Sequence, residues 1–244
     1  MRYKNAVIIT GPTTTGKTEV AIGIARRLDG ELINSDKLYF YSYFRIGTGL
    51  YDHSESPDVP HHLYAILKPE DEELGVERYV KEVENIIPKI LHRDRLPIIE
   101  GCSPSYNSTL IECNKEERRN FYYYPVIGLR WPKGIDLMNK LKKRLDQMFD
   151  KHLLEETDLA LKNGLRNTYV IKDSFVYGPI VKYLEGYLTL EQTKEEILDR
   201  ALCVAKTQLE KFEKIPEIIW IEYDSNKPNE AIESIIKMIN IYNS

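Results

Sequence analysis

The sequence predicts an α/β protein, a parallel sheet with helices on both faces. Three observations predict it. Short apolar runs bounded by turn residues alternate with longer amphipathic stretches along most of the 244 residues. The first run, Ala6-Val-Ile-Ile-Thr10, leads straight into Gly11-Pro-Thr-Thr-Thr-Gly-Lys-Thr18. That G-x-x-x-x-G-K-T spacing is a phosphate-loop pattern when a strand precedes it and a helix follows, and both conditions hold here.

The elements follow in order. Val7-Ile8-Ile9 reads as a buried strand, and residues 19–28 set Val20, Ala21, Ile24, Ala25 and Leu28 on one helical face. Residues 31–35 are a second strand candidate and 63–67 a third. Across 76–91, Val76, Tyr79, Val80, Val83, Ile87 and Ile90 recur at helical spacing. Residues 96–100 read as a strand ended by Gly101, and 123–129 as another. Residues 135–149 put Met138, Leu141, Leu145 and Met148 in line on a helix. A long helix over 195–212, a strand over 217–223 and a helix over 229–241 close the chain. Residues 153–192 are mainly helical and are expected to form a small lobe of a single domain, 1–244. Residues 51–60, with two prolines and several charges, read as a mobile loop.

Composition narrows the function. A content of 42% hydrophobic and 30% charged residues fits a packed core, and the net charge of -4 argues against broad nucleic-acid binding. A local basic patch stays compatible with that balance. Cys102, Cys113 and Cys203 show no metal-type or redox spacing, and an odd number without a framework suits a reducing compartment. No stretch approaches about 20 uninterrupted apolar residues, and the N-terminus lacks the pattern of a signal peptide. A cytoplasmic enzyme without a membrane partner is expected.

The loop places backbone N–H groups around a phosphate, with Lys17 as a point charge and the Thr18 hydroxyl available to Mg²⁺. The motif does not say which phosphate. Asn34-Ser35-Asp36-Lys37 sits where the second strand ends, and ligands of open α/β sheets bind beyond the carboxyl ends of strands. Asp36 is therefore near the loop. It reads as a Mg²⁺ ligand or a second-layer partner of the ion, as a general base, or as a helix cap. His61 and His62, adjacent on an extended segment, point to opposite sides and do not suggest a shared metal. Tyr122-Tyr123-Tyr124 reads as strand with large buried side chains rather than as a base-stacking platform.

The segments GPTTTGKT, GELINSDKLYFY, RIGTG, VPHHLY, LPIIEGCSPSY, LKKRLDQMF and VAKTQLEKF are spread from Gly11 to Phe212. As an ordered set they resemble the isopentenyltransferases (dimethylallyltransferases), which prenylate the exocyclic amine of adenine. The closest likeness is to the adenylate enzymes that make cytokinins. The resemblance implies a P-loop NTPase-like fold whose loop grips the diphosphate of dimethylallyl diphosphate rather than a nucleotide triphosphate. It implies Asp36, Thr13 and Lys17 as catalytic residues. It implies donor diphosphate contacts from Gly11, Thr14, Thr15, Gly16, Lys17, Thr18, Arg144 and Lys206, with Thr18 on Mg²⁺. Acceptor contacts would come from Ser35, Asp36, Thr48 and Ser103.

The chain departs from the family pattern at three points. Gly101-Cys102 stands where two glycines are usual, so the Cys102 side chain needs room or a changed backbone angle. Thr207 replaces the arginine of an A-K-R-Q motif. Val204 lies near a position where some bacterial cytokinin enzymes carry histidine, which suggests plain dimethylallyl diphosphate as donor. The tRNA enzymes also carry a helical insertion, and residues 107–122 are too few for one of about 60 residues. With the acidic balance, this favours a free adenine mononucleotide (AMP, ADP or ATP) as acceptor and makes tRNA an unlikely partner. A compact tRNA dimethylallyltransferase, a phosphate-loop kinase and a non-catalytic nucleotide switch are the competing readings. The oligomeric state is not indicated.

Overall fold

The computed structural model describes residues 3–115, 122–224 and 227–243. β1 (Ala6–Thr10) runs through the phosphate loop into α1 (Lys17–Leu28). Then come β2 (Gly30–Asn34), β3 (His61–His62), α2 (Val76–His92), β4 (Leu96–Glu100), α3 (Pro104–Glu112) and β5 (Tyr123–Arg130). The next stretch is helical: α4 (Leu137–Asp150), α5 (Leu153–Lys162), α6 (Tyr169–Asp173), α7 (Tyr177–Leu184) and α8 (Leu190–Phe212). β6 (Ile219–Glu222) and α9 (Pro228–Asn243) end the described chain.

Among the described residues the strands form one six-stranded sheet in the order β3-β2-β4-β1-β5-β6, with every pairing parallel. All residues of β1, β2 and β4 are buried, so all but the last residues of β1 and β4 read as apolar runs without alternation, while β2 holds Glu31 and Asn34 among its buried residues. The carboxyl ends of β1, β2 and β4 therefore deliver the phosphate loop, Ser35-Asp36 and Gly101-Cys102-Ser103 to one edge of the sheet.

Several expectations shift. The third strand lies at His61–His62, not over 63–67. Leu63 and Ala65 adopt left-handed backbone (φ 62° and 52°), which turns the chain out of the ladder, and Leu67 keeps only an isolated bridge to Tyr41. α8 starts at Leu190 rather than 195 because Thr189 and Gln192 form a reciprocal capping box. α4 starts at Leu137 because Asp136 accepts from the Asn139 N–H at 3.0 Å. The loop over 51–60 is fastened: Arg26 donates to both oxygens of Asp58 at 2.7 and 3.0 Å, and Ser56 and Val59 are buried. His62 Nε2 donates to Glu31 Oε2 at 2.7 Å, and the His61 ring stacks on Tyr51. Tyr123 is fully buried while Tyr122 is half exposed.

Seven residues, 116–122, separate the turn Cys113–Lys115 from β5; residues 116–121 of the short 107–122 path lie outside the described residues. No helix of the described residues is long and apolar enough to cross a membrane.

Candidate active site

The phosphate loop gets its shape from backbone angles. Gly16 (φ 81°) ends the loop and starts α1, and a Cβ there would lie 3.1 Å from the Tyr223 ring. Lys17 is buried, and its Nζ donates to the Pro12 carbonyl at 2.7 Å and to Thr15 Oγ1 at 3.4 Å. Burial lowers the Lys17 pKa from its ordinary value, and the charges of Glu100 and Asp36 act against that. The Thr13 N–H donates to Gln208 Oε1 at 2.8 Å, and the Thr13 hydroxyl accepts from Arg144 Nη1 at 3.2 Å. The Thr18 hydroxyl lies 3.3 Å from both carboxylate oxygens of Glu100.

Beside the loop, the end of β2 aims Asp36. The Asn34 side chain holds the turn, accepting from the Asp36 N–H at 2.7 Å and donating to the Asp36 carbonyl at 3.0 Å. Asp36 Oδ1 accepts from the Leu38 N–H at 3.0 Å, a turn contact just ahead of the short helix Leu38–Phe40, whose N-cap is Lys37. Asp36 Oδ2 accepts from the Cys102 thiol at 2.7 Å. Gly101 makes this approach possible, since a Cβ there would stand 2.3 Å from the Ser35 carbonyl carbon. Cys102 stays outside the left-handed region, so no changed backbone angle is needed. Its side chain finds room in a cavity wall.

Glu100, at the end of β4, is 1% exposed. Burial raises its pKa above the usual carboxylate range, although the Tyr64 hydroxyl, which donates to it at 2.7 Å, and the Lys17 charge pull the other way.

Two cavities of about 500 and 580 Å³ meet here. Thr13, Asp36, Tyr39, Cys102 and Arg144 line both and form their shared wall. The first cavity lies over Thr14, Gly16, Lys17, Thr18 and Glu100, with Arg45, Asp52 and Lys151 also lining it. Arg144, Gln147 and Met148 of α4 and its C-cap residue Lys151 line it at helical spacing. The second is lined by Thr48, Ser103, Leu38, Phe175, Val204 and Gln208, among others. The loop carrying Thr48 is held by Glu156, whose carboxylate accepts from the N–H groups of Arg45, Ile46 and Gly47 at 2.8, 2.9 and 3.1 Å and from the Tyr177 hydroxyl at 2.5 Å.

Not every residue named from the sequence faces a cavity. Gly11 and Thr15 shape the loop from behind. The Ser35 hydroxyl is fully buried and donates to Asn107 Oδ1 at 2.7 Å, bracing the strand end. Lys206 is exposed and lines neither cavity. The side of α8 that borders the second cavity carries Val204, Gln208 and Lys211, spaced by four and three residues, and Lys206 falls off it. Glu100, Tyr39, Gln208 and Glu156 were not singled out by the sequence. For Glu100 a signal existed, since it ends a fully apolar strand just before Gly101.

Comparison with known proteins decides the family. The model described as IPP transferase matches residues 39–120 and 107–214, well over half the chain. The chain belongs to the IPP transferase family. A tRNA dimethylallyltransferase of Caldanaerobacter subterraneus subsp. tengcongensis is 27% identical over 301 aligned positions, covering 94% of this chain and 95% of the relative. One of Thermoanaerobacter sp. is 27% identical, covering 96% of each chain. The crystal structure of a tRNA isopentenylpyrophosphate transferase from Bacillus halodurans superposes with a TM-score of 0.83 at 23% identity, covering 98% of this chain and 97% of that one, and shares its fold.

These relatives overturn the expectation of a free adenine mononucleotide as acceptor, of a cytokinin-forming role and of tRNA as an unlikely partner. Neither the net charge nor the short path over 107–122 excludes tRNA. A net charge of -4 averages the whole surface, whereas phosphate contacts need only a local patch. Of the 301 aligned positions, 94% of 244 residues leave about 70 opposite gaps in this chain, so a relative can carry a sizeable extra segment and still align end to end.

Proposed function

We propose that this IPP transferase moves a dimethylallyl group from dimethylallyl diphosphate to the exocyclic amine of an adenine in tRNA, releasing diphosphate. The observation that carries the chemistry is the shared wall, where Asp36 and Arg144 stand between a phosphate-loop cavity and a second, partly apolar one. The relatives supply tRNA as the acceptor.

In this reading the diphosphate lies over the loop, held by backbone N–H groups, Lys17 and Arg144. The adenine amine meets, at the wall, the prenyl carbon that bears the diphosphate oxygen. A new N–C bond forms as the C–O bond to diphosphate breaks, and the electron pair leaves with the diphosphate. Asp36 accepts the proton that the amine sheds, which matters because its lone pair is delocalised into the ring. Cations aimed at the leaving oxygens stabilise the charge that gathers there. Thr13, bonded to Arg144, sits beside the same oxygens. Val204 and Phe175 give the second cavity an apolar side suited to an unsubstituted prenyl chain.

Mg²⁺ fits the donor set. Hard cations take oxygen ligands, and the Thr18 hydroxyl and Glu100 carboxylate offer them on the first cavity's lining. Among the described residues no cluster of three or more His, Cys, Asp or Glu could hold a metal, so the diphosphate itself would complete the site. When bound, the ion would neutralise part of the leaving group's charge.

Diphosphate release from dimethylallyl diphosphate tests the reading. Release is expected only when unmodified tRNA and Mg²⁺ are present, and Lys17→Met is expected to reduce it by about 10²-fold or more. Release of equal rate without any adenine acceptor would contradict the proposal.

A further inference from the structure

Asp36 has one oxygen fixed by the main chain, through the Leu38 N–H. Rotation about the last side-chain bond of an aspartate is soft, so one contact does not aim the other oxygen. Here the Cys102 thiol does so, donating to Oδ2 at 2.7 Å. The thiol is itself held, because Gln208 Nε2 donates to Sγ at 3.3 Å while Gln208 Oε1 accepts from the Thr13 N–H at 2.8 Å. A continuous chain of hydrogen bonds thus runs from the phosphate loop through α8 and the end of β4 to the carboxylate.

We propose that Cys102 is a positioning residue, holding Asp36 Oδ2 at the wall between the two cavities and coupling it to the phosphate loop through Gln208. The proposal rests on the reading of Asp36 as the proton acceptor. Burial, and then the nearby Asp36 charge, raise the thiol's pKa and keep it protonated, as a donor must be. A carboxylate oxygen has a second lone-pair direction, so accepting from the thiol leaves room for the amine proton. A glycine at this position would offer no such contact. If Cys102 were only a small filler, alanine would serve as well, and serine would bring no benefit over alanine.

The test is a cycle of Cys102→Ala, Cys102→Ser, Asp36→Asn and the Cys102→Ala/Asp36→Asn pair, with kcat and donor KM measured on tRNA. Cys102→Ala is expected to lower kcat about fivefold or more with donor KM within about twofold, since a hydrogen bond to a charged group is lost. Cys102→Ser restores the donor and brings kcat back to within about twofold of the parent. In the Asp36→Asn background, Cys102→Ala adds less than about a twofold loss. Serine no better than alanine, or the same loss in both backgrounds, overturns the positioning role while leaving the base assignment standing. Full turnover by Asp36→Asn overturns the base assignment itself, and the positioning role with it.

Discussion

The two oxygens of Asp36 face different partners, a main-chain N–H on one side and the shared cavity wall on the other. That division makes a sharp residue-scale prediction. Asp36→Asn preserves the contact to the Leu38 N–H and the shape of the wall but removes the proton acceptor. It should keep dimethylallyl diphosphate binding, read by calorimetry, and lose roughly 10²-fold or more in turnover. Gly101→Ala makes a second. Its methyl group would press on the Ser35 carbonyl carbon and on the Asp36 nitrogen, 2.3 and 2.6 Å from where Cβ must lie. Turnover should fall about tenfold or more while far-UV circular dichroism stays that of a folded α/β protein, because the displaced segment is short. Much of this cluster was legible, since Asp36 and Ser103 each lie just past a strand end and strand ends converge in such sheets. Gln208 was not. Nothing in the spacing of α8 says which of Lys206, Thr207 and Gln208 turns inward until the helix is docked. Lys206 came from the match to the family's A-K-R-Q motif, whereas the docked helix turns Gln208 toward the cavity.

Elements carry the site through polar clamps. Glu156 on α5 gathers three N–H groups of the loop over 45–47 and one tyrosine hydroxyl. Glu156→Ala should remove these contacts, leaving Gly47 N–H only its bond to the Tyr177 hydroxyl, cost about 1 kcal/mol or more in urea unfolding and raise substrate KM through the loosened Thr48 loop. Glu31 on β2 is a second clamp, 2% exposed in its side chain. Arg93 donates to it at 2.6 and 3.0 Å and His62 at 2.7 Å. Burial alone would raise the Glu31 pKa, but the hydrogen bonds and charges of Arg93 and His62 outweigh it and bring the pKa below the ordinary value. The folded chain therefore holds this proton less tightly than the unfolded chain. Stability from the clamp is fully present above the unfolded carboxyl's pKa of about 4.3 and is lost as pH falls through the lower folded value. Glu31→Gln should accordingly destabilise the protein at pH 7 and flatten its stability profile below pH about 4.3, measured by denaturant unfolding across pH. The main strands and helices were legible because apolar periodicity marks them. The two-residue β3 carries too little sequence to show a period, and the α8 start was hidden in the Thr189–Gln192 capping box.

At the scale of the molecule, the acceptor question turns on surface charge and chain length. Lys151 lines the first cavity and Lys211 the second, and both are exposed. If tRNA enters by either mouth, charge reversal there should weaken its binding about tenfold and reduce the salt dependence of the affinity. Filter binding with Lys151→Glu and with Lys211→Glu, over a series of salt concentrations, checks this. The mouth whose reversal acts is the tRNA entrance, and an effect at neither would contradict the proposed acceptor. Whole-chain composition could not reveal such an arrangement, because the net charge does not record which side chains ring a cavity. The resemblance legible in the segments from Gly11 to Phe212 reached the right family but chose the wrong acceptor class within it, guided by a missing insertion that full-length relatives tolerate in alignment. The most direct measurement is nucleoside mass spectrometry after incubating the protein with dimethylallyl diphosphate, Mg²⁺ and either unmodified tRNA or a free adenylate. One dimethylallyl group on a tRNA adenine is the predicted result. Prenylation of AMP, ADP or ATP with none on tRNA would contradict it.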